Sequence, residues 1–140
     1  MKKVSASVLM SMLVLIATGV SPLCAQSQAD QVFQGYLCTA ACGTAGHDTS
    51  GNDLTTNPEK HTVACMKECA YTGMGIMMRL GGAEKYAFYR FDPSGQDRAK
   101  GILFSTVKDA AITIEVTGSL ASGILTVRAI REIDSIAGAR

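Results

Sequence analysis

The chain has 140 residues, with 13 Lys and Arg against 12 Asp and Glu, which gives a formal net charge of +1 at pH 7. This balance argues against a nucleic-acid-binding protein, because such proteins generally need clustered basic surface. Hydrophobic residues make up 47% of the chain, and five residues are cysteines. The composition fits one small globular domain to which covalent or metal cross-links would add appreciable stability.

Residues 1–25 have the pattern of a secretory signal peptide. Lys2 and Lys3 form a basic start, an apolar stretch follows over residues 8–20, and Ala25 marks the predicted cleavage point. Cys24 is expected to leave with this peptide. The apolar stretch is shorter than the roughly 20 residues that span a bilayer. We therefore expect a periplasmic or secreted protein that makes no membrane contact after cleavage.

The remaining chain predicts one β-rich α+β domain over residues 26–134, followed by a flexible tail at 135–140. Five segments have the alternation or the β-branched and aromatic content of strands. They lie at residues 32–37, 76–80, 85–91, 112–117 and 125–129. This order fits a five-stranded OB-like barrel, and an antiparallel sheet with one packed helix would show the same order.

A helix is predicted between the third and fourth strands, beginning at Asp92-Pro93-Ser94. The residues at core-facing spacing along it are Ala99, Ile102, Leu103, Thr106 and Val107. The hairpin that follows is predicted to have a loop over residues 118–123.

A cysteine-rich helical insert is predicted at residues 38–73, after the first strand. Its second half favours a helix from Pro58 to about Tyr71, stopped by Gly73. His61, Cys65 and Cys69 recur every four residues, so we expect them on one face of this helix.

Several segments resemble a group of small exported bacterial proteins of unknown function. They are GYLCTAACG, NPEKHTVACMKECAYTGMGIMM, YAFYRFDPSG and ITIEVTGSLASGILTVRAIREI. The resemblance extends from about Gly35 to Ile133, and its most specific parts are the His-x3-Cys-x3-Cys segment and the VTG hairpin. It implies an OB-type barrel with a Cys- and His-containing insert that carries twin Cys-x3-Cys segments, and it implies no particular activity.

The even number of cysteines left in the exported chain favours a disulfide framework, and four cysteines permit three pairings. If the two cysteine-bearing segments pack antiparallel, the nested pairing Cys38–Cys69 and Cys42–Cys65 joins equivalent turns. Pairing within one segment would join residues one helical turn apart, which suits disulfide geometry poorly. Two disulfides would then staple the insert.

The same residues also fit a metal site, because Cys-x3-Cys segments have ligand spacings used for zinc, and thiolates with Met66 nearby suit Cu(I). The alternative ligand set is His61, Cys65, Cys69, Cys38, Cys42 and His47. If the site holds neither zinc nor copper, we expect no cofactor. A thiol redox protein is a weaker alternative, since neither pair has the Cys-x2-Cys spacing of dithiol oxidoreductases.

No catalytic arrangement can be placed on the sequence, so we expect no enzyme. The segment 48–53 imitates a calcium loop, but Asp53 stands where glycine is needed, and Asx turns explain it. Met74, Met77 and Met78 are interpreted as packing residues. The leading interpretation is a non-enzymatic binding or interaction module whose insert contacts an unknown periplasmic protein or small ligand.

Overall fold

The structure, a computed structural model, describes residues 29–137. The predicted signal peptide at 1–25, with Cys24, lies outside the described residues, as do residues 138–140 of the predicted tail. The strands are β1 Gln31–Thr39, β2 Met74–Met78, β3 Ala87–Phe91, β4 Thr113–Ala121 and β5 Ile124–Ile133; the helices are α1 Ala40–Ala45, α2 Val63–Cys69 and α3 Pro93–Ser105. Within the described range, none of the helices is long and apolar enough to cross a membrane.

The five strands form one mixed sheet whose hydrogen bonding runs in a ring, in the order β1, β2, β3, β5, β4 and back to β1. Four neighbouring pairs are antiparallel. β3 and β5 are parallel and pair only at Arg90 with Ile124 and at Phe91 with Leu125. The β-rich α+β class is confirmed, and the alternative of a wholly antiparallel sheet is wrong at this one pair.

Apolar side chains from the ring, from α2 and from α3 form the main core. It consists of Phe33, Leu37, Val63, Met66, Ala70, Met74, Ile76, Met78, Phe91, Ala99, Leu103, Ile112, Ile114, Val116, Leu125 and Val127. Asp92 caps α3, because its Oδ1 accepts a hydrogen bond from the Gly95 amide at 3.2 Å. The same oxygen accepts a bond from the Val127 amide at 2.9 Å, which ties the start of α3 to β5.

The helix α3 lies where the sequence predicts it, between β3 and β4, but it ends at Ser105. Thr106 is its C-cap, with extended backbone angles, and Val107 is 99% exposed. The expectation that Val107 faces the core is therefore wrong, because the helix stops before it.

The predicted loop at 118–123 is replaced by continuous strands. β4 extends to Ala121, and only Ser122 and Gly123 turn the chain, with φ of 51° and 79°. Two successive residues of positive φ form the turn type that matches the natural twist of paired strands. The hairpin is consequently longer and tighter than its sequence indicates.

The predicted helix of the insert is interrupted. Pro58–Lys60 forms one 3-10 turn, His61 is extended, and α2 begins only at Val63. Thr62 caps α2, since its hydroxyl oxygen accepts a hydrogen bond from the Cys65 amide at 3.2 Å. His61 thus precedes the helix that carries Cys65, and the prediction of one continuous helix face is wrong.

Candidate thiol and metal site

A second buried region, the cysteine cluster, lies between the ring and the insert. It consists of Cys38, Cys42, Leu54, Cys65 and Met77, with Tyr36, Cys69, Tyr86 and Phe88 packed at its edge. Cys38 is the penultimate residue of β1, and the other three cysteines lie on α1 and α2. The insert therefore begins at Ala40 rather than at residue 38, and Cys38 belongs to the sheet.

The position of α1 depends on close packing against the sheet. A Cβ on Gly43 would overlap the ring of Phe88, a residue of β3. Because glycine has no Cβ, the helix can lie directly against this ring. This close approach helps to hold Cys42 over the sheet and near α2.

Three of the four sulfur atoms form a compact group. The Sγ atoms of Cys42, Cys65 and Cys69 all lie within 4.8 Å of one another, and those of Cys42 and Cys65 are 3.9 Å apart. We refer to these atoms as the three-sulfur group. Cys38 lies beside it, with its Sγ 3.5 Å from Nδ1 of His61.

No two cysteines among residues 29–137 are joined by a disulfide. A disulfide bond is about 2.05 Å long, so the separation of Cys42 and Cys65 is a non-bonded contact. These two residues form one of the predicted pairs, and they are neighbours. The predicted partner of Cys38 is Cys69, which groups instead with Cys42 and Cys65. The nested disulfides stay a prediction.

Two threonine hydroxyls lie close to the three-sulfur group. Thr49 donates a hydrogen bond to Sγ of Cys65 at 3.3 Å. The buried Thr39 hydroxyl makes no well-formed hydrogen bond within residues 29–137, yet it lies near enough to Cys42 to lower the pKa of that thiol. Hydroxyl donors of this kind stabilise thiolate charge.

Burial opposes the effect of the Thr39 hydroxyl on Cys42, because it raises the pKa of the thiol, and it is the larger effect. It raises the pKa of Cys42 to about 12, with a further increase from the neighbouring Cys65. Burial also raises the pKa of Cys38, and the nearby Cys42 adds to the rise. At neutral pH these two thiols therefore keep their protons unless a cation takes the place of the protons.

His61 is almost fully buried, at 2% exposure. Its Nδ1 faces Cys38, while its Nε2 has no hydrogen-bond partner among the described residues. Desolvation lowers the pKa of His61, and the nearby carboxylate of Asp48 only partly offsets that effect. The ring is therefore neutral at pH 7. A buried polar atom without a partner costs about 1–3 kcal/mol, so this nitrogen is a local weakness of the fold.

Asp48 is engaged within its own loop. Its carboxylate accepts hydrogen bonds from the Ser50 amide at 2.9 Å, the Asn52 amide at 2.9 Å and the Asn52 side chain at 2.8 Å. Burial alone would raise the pKa of Asp48, but these bonds together bring it below its usual value. The Asx-turn interpretation of this segment agrees with these contacts, and the carboxylate oxygens are already in use.

An open cleft of ≈ 180 Å³ lies beside the three-sulfur group. Cys42 and Cys69 line it together with His47, Asp48 and Thr49. His47 is exposed, and its Nδ1 lies 3.2 Å from the carbonyl oxygen of Asp48. Of the six alternative metal ligands, the structure groups three, pairs Cys38 with His61 beside them, and places His47 at the rim of the cleft.

Sequence reasoning missed some of the residues that surround the sulfurs. Met66, the expected neighbour, packs in the main core, whereas Met77 packs in the cysteine cluster. All five residues of β2 are buried, so alternation could not show which methionine faces the cysteines. The hydroxyls of Thr39 and Thr49 had no sequence signal beyond their polar character.

Comparisons with the models of known protein families, with curated proteins and with solved structures find no match. The resemblance described from the sequence accordingly stays a prediction.

Proposed function

We propose that the protein is a small exported module that binds one soft metal ion, zinc or copper, through the thiolates of Cys42, Cys65 and Cys69. The observation that carries this proposal is the mutual approach of their sulfur atoms to within 4.8 Å. Thiolates at such spacing select soft or borderline ions such as Zn(II) and Cu(I).

The spacing supports coordination quantitatively. Metal–sulfur bonds of about 2.3 Å place two sulfurs of a tetrahedral site about 3.8 Å apart. The Cys42 and Cys65 sulfurs are 3.9 Å apart, close to that value. Thr49 and Thr39 would act as outer-shell donors to two of the three sulfurs, the arrangement that commonly orients metal ligands.

We also propose that the ring of strands is an OB-type barrel, as the resemblance to small exported bacterial proteins implies. The strand order, the single parallel pair and the position of α3 between β3 and β4 support this assignment. Every pair in the ring joins strands, so the ring closes without any residue of the insert. Because the ring closes without them, Cys42, Cys65 and Cys69 are available for a separate binding function.

The same proposal includes export to the periplasm and a non-enzymatic role. The basic and apolar pattern of residues 1–25 supports secretion to the periplasm. Cys38 and His61 have the residue types of a nucleophile and a base, but their exposures of 1% and 2% leave a substrate no access to them. This burial supports a non-enzymatic role.

A second candidate is an interaction module stapled by the disulfides Cys42–Cys65 and Cys38–Cys69, with a periplasmic protein or a small ligand as its partner. The contact between Cys42 and Cys65 favours it, because these two sulfurs are already neighbours at 3.9 Å. Each bridge would add roughly 3 kcal/mol of stability.

Intact-mass analysis of protein purified from its own periplasm, combined with elemental analysis, distinguishes the two candidates. The metal-binding function predicts about one equivalent of zinc or copper and four thiols that react with iodoacetamide once the metal is removed. Two disulfides predict a mass lower by four hydrogen atoms, no alkylation before reduction and no metal. Four reactive thiols without metal would contradict both candidates.

A further inference from the structure

The three-sulfur group lacks a fourth ligand at the same spacing. Among the His, Cys, Asp and Glu side chains of residues 29–137, only Cys42, Cys65 and Cys69 come within 4.8 Å of one another as a group. Cys38 is paired with His61, and the carboxylate of Asp48 accepts three hydrogen bonds within its own loop. Among the described residues, no imidazole nitrogen and no carboxylate oxygen therefore joins the three sulfurs at this spacing.

We infer that the ion is monovalent copper, held by the three thiolates of Cys42, Cys65 and Cys69 alone. This inference rests on the proposed metal-binding function and specifies its ion. Three thiol protons leave for solvent as one Cu(I) ion binds, the copper stays monovalent, and no sulfur is oxidised. The same chemistry admits Ag(I) as a probe.

Zinc fits the same residues less well. Structural zinc sites are almost always closed by four protein ligands in a tetrahedron. The imidazole nearest the cleft belongs to His47, which is exposed at its rim and would have to move inward. A d10 monovalent ion with a preference for sulfur has no such requirement, because three thiolates complete a trigonal site.

The surroundings of the sulfurs also favour copper. Met77 packs in the same buried cluster as Cys42 and Cys65, together with the apolar side chain of Leu54. A thioether is a soft neighbour that suits the surroundings of Cu(I), whereas zinc is bound by thiolate, imidazole and carboxylate. No zinc-favouring carboxylate among the described residues joins the group.

The cleft makes the site accessible without unfolding. Cys42 and Cys69 both line it, and Cys69 is half-buried. A small chelator can therefore exchange ions with the site, so competition experiments reach equilibrium with the folded protein.

The test is a competition titration, without oxygen, of the fully reduced exported protein, after the predicted cleavage at Ala25. Cu(I) is titrated against bicinchoninate, and Zn(II) against a chromophoric zinc chelator. We expect one equivalent of Cu(I) and an affinity for Cu(I) more than about 100-fold higher than for Zn(II). X-ray absorption of the copper-loaded protein should show three sulfur neighbours and no nitrogen.

Variants locate the site. Cys42→Ser, Cys65→Ser and Cys69→Ser should each weaken Cu(I) binding by more than about 100-fold, beyond the usual effect of an outer-shell change. Cys38→Ser and the exposed His47→Asn are the matched controls, and each should stay within about threefold of the parent protein. Circular dichroism verifies the fold of every variant, and the absorption measurement on the parent chain does not depend on any of them.

Four results would each overturn the trigonal copper site while leaving a metal-binding function in place. They are tighter binding of Zn(II) than of Cu(I), more than one copper per chain, a fourth ligand in the absorption spectrum, and a loss of binding in Cys38→Ser as large as in Cys42→Ser. Failure of the reduced chain to bind either ion would overturn both the inference and the proposed function.

Discussion

The main core and the cysteine cluster are both buried, yet they differ in the chemistry of their side chains. The main core consists of apolar side chains on the strands of the ring, on α2 and on α3. The cysteine cluster contains three buried thiols, and beside it the Thr39 hydroxyl and Nε2 of His61 lack hydrogen-bond partners within residues 29–137. Apolar packing therefore accounts for the first region, whereas the second combines apolar packing with buried thiols and polar atoms that lack partners.

The thiols by themselves explain why the cluster forms at all. A protonated cysteine packs as a small hydrophobic residue, so the cluster can be buried before any metal or disulfide is present. Burial then raises the pKa of Cys38 and Cys42, which keeps them protonated. We expect a bound cation or a disulfide to add to the stability of this cluster.

The largest expected effect is on the main core. Leu103 on α3 is fully buried, and Leu103→Ala should lower the free energy of unfolding by about 2–5 kcal/mol. Because Leu103 does not pack in the cysteine cluster, the loss should be the same with and without Cu(I). Urea unfolding in both conditions measures it, and a loss that depends on Cu(I) would show that the two regions are coupled.

The next largest effect is the gain in stability when the cysteine cluster binds an ion. An ion that binds only the folded chain at 100 times its dissociation constant should raise the free energy of unfolding by about 2.7 kcal/mol. Thermal unfolding should show this gain in the parent protein and in Cys38→Ser, but not in Cys65→Ser. An equal gain in Cys65→Ser would place the bound ion elsewhere.

The cap of α3 provides a smaller test of the main core. Asp92→Ala removes the hydrogen bonds to the Gly95 and Val127 amides and should cost about 1–2 kcal/mol. Asp97→Ala, at an exposed position of the same helix, is the control and should change stability by less than about 0.5 kcal/mol. Chemical denaturation compares the two, and equal losses would mean that the Asp92 bonds contribute nothing specific.

The smallest effect is the pH dependence of the cysteine cluster. Burial lowers the pKa of His61 below its ordinary value of 6.5, so the unfolded chain takes up a proton at a higher pH than the folded chain does. The contribution of the neutral ring to stability is complete above 6.5 and is lost as the pH falls through the folded pKa. Urea unfolding between about pH 7.5 and 5 should show this loss, a window in which histidine titrates.

His61→Gln should flatten that dependence, because glutamine does not titrate. His47→Gln is the control, since His47 is exposed. If the parent protein and His61→Gln lose stability in parallel below pH 6.5, another group is responsible.

Much of the fold could be predicted from local patterns. The alternation at Ile112, Ile114 and Val116 predicts a buried strand face, and all three side chains are buried. Asp92-Pro93 correctly predicts the start of α3. These elements follow from residue spacing and capping, which a single sequence displays.

The break before α2 could not be predicted, because distant residues produce it. The Val63 amide donates to the carbonyl of Asp109, and Thr62 forms a bridge with Ala110. These contacts hold Thr62 in an extended conformation, so helix formation starts only after it.

The grouping of the sulfurs could not be predicted from the sequence for a related reason. The i,i+4 spacing of Cys38 and Cys42 suggests one helical turn, but β1 runs to Thr39, and Cys38 is part of the strand. Its sulfur therefore meets His61, and Cys42 alone joins Cys65 and Cys69. Because β1 ends at Thr39, the structure contains a group of three sulfurs instead of the two equivalent cysteine pairs that the sequence suggests.

The short parallel pairing of β3 with β5 is where we expect the molecule to open first. Only two residue pairs join these strands, against nine between β4 and β5. The backbone bonds at this seam, from Arg90 to Gly123 and from Asp92 to Leu125, lie between segments far apart in the chain. Local opening should begin at such a junction, so amide protons at the seam should exchange with deuterium sooner than those in the middle of the hairpin. The cysteine cluster, on the opposite side of β2 from the main core, can stay closed while this happens, because it contains no residue of the seam.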